Sequence, residues 1–345
     1  MKKITKTLIA TLMTAAISFT AMAAPAANDR VVVGTSIYAG WMPWYHIKSS
    51  GILDTVNKKY GTNVEVRTYA TYDASFADYT GGSLDGVTLT NMDALLNPAD
   101  AGIQSYALIN GDASHGNDAI VAASPMQCTD LKGKKVYLVQ GTVSQYLLNK
   151  YLETCGLDDT DVKMQNTTDA EIGNLFLNNE DPNLVVVTWN PVVQSIMTKP
   201  NAVKLFSSSE IEDQILDTMY VKTGLHPNVY KALNEAWYMA MERMTSRSVQ
   251  KDEMIEEMAS LSGSDVAGFV SQLKTTKFYV TQQQAKQFTE SDKLKSVMKE
   301  VVEFVDSKDM MPNTKASKIG IQFPDGTVLG DKNNVKIIFT TEFMK

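Results

Sequence analysis

The chain has 345 residues, 44% of them hydrophobic, with 39 acidic against 32 basic side chains and a formal charge of -7. That balance gives no electrostatic attraction to nucleic acid or to an anionic membrane surface. The length exceeds what one hydrophobic core usually supports, so two lobes are expected.

Lys2 and Lys3 precede an apolar stretch from Leu8 to Phe19 and the small-residue triplet Ala21-Met22-Ala23. This is the pattern of a cleaved secretory signal, residues 1-23, and the apolar run is shorter than a membrane-spanning helix requires. Removing Lys2, Lys3 and Lys6 without an acidic residue takes the formal charge from -7 to -10. No cysteine follows the cleavage site, so the reading is a free periplasmic protein with no direct membrane insertion. Cys128 and Cys155 would lie in an oxidising compartment. A disulfide and two buried free thiols both remain open.

From Val31 the pattern alternates short apolar runs with amphipathic segments. Strands are expected at Val31-Val33, Val64-Val66 and Val87-Leu89, and helices from about Trp41 to Ser50 and from Ala74 to Tyr79. Pro43 suits a first helical turn and Gly51 a helix end. A second series follows, with strands at Val136-Val139, Val162-Gln165, Leu184-Val187 and Val203-Phe206. Helices over Ser144-Thr154, Asp169-Leu177 and Pro191-Met197 separate them. Alternation of this kind predicts an α/β fold of parallel sheets covered by helices. From Pro227 to about Val305 the spacing is helical, and Lys318 to Thr340 reads as a hairpin-like appendage around a Pro-Asp-Gly turn. The expected organisation is a first lobe from 24-118 and 221-345 and a second from 119-220. Extended crossings near Asp118-Ala122 and Leu216-Val221 would join them as a hinge.

His46, His115 and His226 stand far apart without Cys or His at metal-ligand spacing, so no metal site and no cofactor are read. Nucleophile-elbow, phosphate-loop and dinucleotide motifs are absent, and no catalytic residues are assigned. Aromatic and amide side chains at the ends of strands remain, where open α/β sheets bind ligands. Tyr38 and Trp41 follow the first strand and are read as lining a cleft, while Trp44 and Tyr45 are read as core anchors. Asn91 and Asp93 end the third strand, and Asn117 and Asp118 adjoin the first crossing. Asp112 is assigned to a solvated turn. In the second lobe Ser144 opens a helix and Trp189 follows the most apolar strand.

The stretches Ser36-Tyr45, Asp85-Leu95, Gly116-Asp118, Val187-Pro191 and Phe323-Asn334 resemble the periplasmic solute-binding proteins of nitrate, sulfonate and taurine ABC importers. The resemblance spans nearly the whole mature chain and is most similar to the subgroup named for the urea carboxylase region. It implies a type II periplasmic-binding fold of two lobes joined by two crossing strands. It also implies a monomer that delivers a small-molecule ligand to an ABC permease. The subgroup implies urea, guanidine or a related nitrogen compound. A thiamine-pathway pyrimidine synthase shares this architecture, and a receptor presenting ligand to a membrane sensor would share the sequence features. The cleft-end segments carry no Arg or Lys, which favours a neutral or cationic ligand over an anion.

Overall fold

The computed structural model describes residues 25-345, so the segment read as an export signal lies outside the described residues. The first strand, β1 (Arg30–Ser36), is buried on both faces beyond Arg30, as its continuous Val31-Val32-Val33 run requires. Helix α1 (Met42–Ser49) starts with Pro43 in its first turn. Helix α2 (Ile52–Tyr60) follows, with only Ile52 and Val56 buried, a stripe too narrow to stand out in the sequence. Then come β2 (Asn63–Tyr69), α3 (Tyr72–Thr80), β3 (Gly86–Thr90), the single turn α4 (Asn91–Ala94) and β4 (Ser105–Ser114).

The chain next builds β5 (Ala119–Ala122), β6 (Lys135–Leu138), α5 (Val143–Glu153), β7 (Lys163–Asn166), α6 (Asp169–Asn178), β8 (Val185–Thr188), α7 (Val192–Ile196) and β9 (Val203–Ser207). It continues through β10 (Leu216–Lys222), α8 (Pro227–Thr245), α9 (Val249–Leu261), α10 (Val266–Leu273), β11 (Thr276–Phe278), α11 (Gln282–Thr289) and α12 (Asp292–Ser307). Strands β12 (Gly320–Gln322), β13 (Val328–Leu329) and β14 (Val335–Phe339) close it.

Two sheets result. The larger has the order β13-β12-β14-β4-β10-β3-β1-β2 with β11 added beside β4, and the smaller has the order β7-β6-β8-β5-β9. Within both, one arrangement repeats: second strand, first, third, a strand that has just arrived from the other lobe, then fourth. The visiting strands run against their neighbours, β10 antiparallel to β3 and β4, and β5 antiparallel to β8 and β9. The sheets are therefore mixed rather than wholly parallel.

Three further expectations are corrected. Ala119–Ala122 and Leu216–Lys222 are full members of the second and first sheets. The crossings are the short segments just before them, 115-118 and 208-215. The tail is no appendage, because β14 pairs in parallel with β4 and carries β12 and β13 into the main sheet. Asn110-Gly111-Asp112 lies inside β4 rather than in a turn. Gly111 is there because a Cβ would come within 2.9 Å of the Trp237 ring.

The crossings lie side by side. Ser114 N–H donates to the Ile215 carbonyl at 3.0 Å and Ser208 N–H to that of Asp118 at 2.9 Å. Ser208 Oγ accepts from Gly116 N–H at 2.7 Å. A third link is α12, whose Phe304 meets Tyr146 of α5 edge-on at 5.0 Å and which ends in the Lys308–Asp159 ion pair. The largest apolar cluster accordingly runs from Val87 and Leu89 of the first lobe through Met298 into Val136 and Leu147 of the second.

Cys128 and Cys155 form a disulfide that ties the turn before β6 to the end of α5, with Cα atoms 6.1 Å apart. A closed loop of this length should contribute about 3 to 4 kcal/mol in the chain-entropy model. Reduction is expected to lower the melting temperature and leave ligand binding intact. Two titratable thiols in unreduced, denatured, exported protein would count against it.

Candidate ligand-binding site

Between the lobes, at the strand ends, is a small cavity. The first lobe contributes Tyr38 and Trp41 from the loop after β1, Tyr72 from the start of α3, Thr90 from the end of β3 and Asp217 from β10. The second lobe contributes Val143 and Trp189, and the crossings add Asp118 and Ile215. Four rings form one chain across it. Tyr38 meets Trp41 at 5.1 Å, Trp41 meets Tyr72 at 5.2 Å, and Tyr72 meets Trp189 of the other lobe at 6.1 Å.

Beneath the rings lie four buried aspartates from four different segments. Asp118 accepts from Ser114 Oγ at 2.5 Å, and Asp93 accepts from the Tyr72 hydroxyl at 2.7 Å. Asp112 of β4 and Asp217 of β10 are opposite one another in the antiparallel register. Both oxygens of Asp112, Oδ2 of Asp217 and Oδ1 of Asp93 accept no hydrogen bond from the protein. Any Cβ at Gly40 would collide with the Asp112 carboxylate, so the loop bearing Tyr38 and Trp41 can lie over this pair only with glycine at that position. Among the described residues, no Lys, Arg or His lines the cavity.

Burial without a counter-charge disfavours the ionised form. It pushes Asp118 up to about 6, and Asp93 up to about 7 against the hydrogen bonds from Tyr72 and Thr90. Asp112 and Asp217 are both driven up by burial, and mutual repulsion adds to the shift of Asp217. Tyr38 is raised well above its ordinary value, chiefly by burial and then by the surrounding aspartates, so its hydroxyl stays protonated.

Of the residues singled out in the sequence, Tyr38, Trp41, Asp118 and Trp189 reach the cavity wall. Asp93 stands one layer behind, under Tyr72. Ser144 sits beside Val143 in the first turn of α5, its hydroxyl without a protein partner. Asn91 is used elsewhere: its amide donates to the Gln214 carbonyl and its oxygen accepts from Leu216 N–H, which fastens α4 to the second crossing. Asn117 is an interlobe fastening too. It donates to the Tyr38 hydroxyl at 3.1 Å and to Thr276 Oγ1 at 2.6 Å, while its oxygen accepts from Asn190 of the second lobe at 2.9 Å. Trp44 and Tyr45 are core anchors, Trp44 lying 5.4 Å from Trp237.

Tyr72, Asp112 and Asp217 were not found by sequence reasoning. One signal was present for Asp217: it stands alone as an acid in the otherwise apolar or neutral extended segment Leu216 to Val221, and a buried acid there is too costly to be incidental.

No family model matches the chain, and no curated protein is similar to it in sequence. Solved structures do resemble it. The alkanesulfonate-binding protein SsuA from Xanthomonas axonopodis pv. citri, bound to MOPS, superposes with a TM-score of 0.65 at 15% identity, over 84% of this chain and 96% of that one. The aliphatic sulphonate-binding protein SsuA from Escherichia coli gives 0.66 at 15% identity over 83% and 89%. The nitrate-binding protein NrtA from Synechocystis PCC 6803 gives 0.60 at 14% identity over 89% and 97%. The chain has the two-lobed type II periplasmic-binding-protein fold. Among the described residues no helix is long and apolar enough to cross a membrane.

Because burial raises these four carboxyls, the folded chain binds more protons than the unfolded one above the ordinary carboxylate range. Their contribution to stability is therefore greatest at low pH and is lost as pH rises through the raised values. The melting temperature of ligand-free protein is expected to fall between pH 5 and pH 8, and to fall less in Asp217→Asn. A melting temperature that climbs over that interval in both would refute the assignment.

Proposed function

We propose that this protein is the periplasmic solute-binding component of an ABC importer, and that it captures a small planar nitrogen cation, guanidinium, between its lobes. One observation carries the reading: the cavity is walled by aromatic rings and floored by carboxyls, with no positive side chain on its lining. A guanidinium has only donors, so each partner in its plane must be an acceptor, and a carboxylate can take two parallel N–H bonds. Asp118 and Asp217 meet that demand on the cavity wall, with Asp93 behind them. Its faces are weakly hydrated and stack on aromatic rings, for which Trp41, Tyr38, Tyr72 and Trp189 are available, at about 2 kcal/mol or more once desolvated.

The sulfonate- and nitrate-binding proteins of the same fold are named for anions. An anion here would meet buried acids with no counter-charge, a cost of several kcal/mol. Urea is the second reading, because its carbonyl needs a donor and Trp41 Nε1 and Ser144 Oγ have none of their own partners in the protein. An enzymatic role has no support in the residues gathered at the cleft, and delivery to a sensor in place of a permease would use the same site.

Calorimetry of the mature protein is expected to show tight binding of guanidinium, weaker or no binding of urea, and none of nitrate or an alkanesulfonate. Removing one partner of a buried charge pair costs about 2 to 5 kcal/mol, so Asp118→Asn and Asp217→Asn should each weaken guanidinium at least about thirtyfold. Parent-like affinity in both variants, or a preference for an anion, would sink the reading.

Trp41 and Trp189 belong to opposite lobes and meet Tyr72 from either side. Closure on the ligand is thus expected to change tryptophan emission and shrink the radius of gyration. Identical scattering with and without saturating guanidinium would argue against a hinge at 115-118 and 208-215.

A further inference from the structure

Asp112 and Asp217 have no evident place in a simple cation cradle: Asp217 reaches the cavity, but Asp112 is a layer below it and touches no cation of the protein. We propose that the two carboxyls share one proton in the empty protein and give it up when the ligand cation enters, so that capture is an exchange of one cation for one proton. This rests on the reading of the site as a cation site and adds its regulation.

The geometry supplies the argument. The two residues are paired across adjacent antiparallel strands, with carboxyl groups close enough for one, protonated, to hydrogen-bond to the other. Asp112 Oδ1 and Oδ2 and Asp217 Oδ2 accept nothing else. Two adjacent buried carboxylates cannot both ionise without a nearby cation, and such a pair titrates as one unit. The β1 loop presents the Tyr38 hydroxyl, the first crossing Asp118, α4 Asp93, β10 Tyr220, and the segment after β11 Tyr279. All are acids or phenols; burial and the Asp118 carboxylate raise the pair, while the Tyr38 hydroxyl holds Asp217 down by its hydrogen bond. When the ligand arrives, the O–H bond breaks, the proton passes to solvent, and the ligand's charge takes its place. No electrons move, and the net charge of the buried site is the same before and after.

The test is calorimetry with guanidinium chloride in buffers of different ionisation enthalpy, from pH 5.5 to pH 9. The expected result at pH 7 is release of about one proton per ligand, with affinity rising up to tenfold per pH unit and levelling off at the alkaline end. Asp112→Asn, whose amide can donate to an ionised Asp217, should bind at pH 7 with little proton release and a flattened pH profile. Infrared difference spectra supply a second readout: a protonated-carboxyl band present in the empty parent, lost on ligand addition and missing from Asp112→Asn. Binding with buffer-independent heat and constant affinity overturns the exchange while leaving the cation site standing. Absence of any guanidinium binding overturns both.

Discussion

Four carboxyls are buried between two lobes with no basic side chain on the cavity they surround, and most of the local structure answers to that fact. A buried charge of this kind is normally neutralised by a partner or by a proton. Here the partners supplied by the chain are hydroxyls: Ser114 for Asp118, Tyr72 and Thr90 for Asp93. These shelter the charge without cancelling it. In the proposed reading, a cation completes the electrostatics of this site and its faces meet the rings.

The fold brings the acids together by its exchange of strands. β10 enters the first sheet between β3 and β4, so Asp217 at its start is paired on one side with Thr90 and on the other with Asp112. Asp118 comes from the opposite crossing, and Ser114 and Ser208, hydroxyl to hydroxyl at 2.7 Å, hold the two crossings together beside it. The first crossing thus carries Asp118, and the strand that follows the second crossing opens with Asp217 one residue inside it. Asn117 and Asn190 then couple the position of Tyr38 to the loop bearing Trp189, so the two aromatic walls are fixed relative to one another by amide hydrogen bonds rather than by packing alone.

Much of this architecture was legible in the sequence because it is written in periodicity. The alternation from Val31 to Phe206 marks the strands and helices of both lobes, and the aromatic run after β1 marks the cleft. What stayed hidden depends on long-range packing. Asn110-Gly111-Asp112 has turn chemistry, yet it forms strand because Gly111 makes room for Trp237, more than a hundred residues away. Thr276–Phe278 is a strand inside a helical region because it completes the edge of β4 at Asp112–Ser114. Asn91 looks like a ligand contact from its place at a strand end, and only the return of the chain at Gln214–Leu216 shows that its amide is taken. Cleft-facing residues set by local position were recoverable; those set by register between distant strands were not.

If the site takes a cation as proposed, its specificity resides in the side chains around the cleft and not in the scaffold. A two-lobed scaffold with strand ends converging on a cleft favours neither charge by itself, since helix starts such as that of α5 offer donors and crossing strands offer side chains of any kind. In this chain the α5 terminus is largely closed to a ligand: Val143 faces the cavity, and Thr142 Oγ1 accepts from Ser144 N–H at 3.2 Å. The first crossing and the start of β10 supply acids instead. In the proposed reading, selection against anions would need no clash, because Asp118 and Asp217 would repel them without a compensating donor, which is discrimination through the unfavourable state. At such a site the same logic would reject a zwitterion carrying a guanidinium group. Its carboxylate would be drawn into the same ring of aspartates, and the cavity has no positive group to receive it.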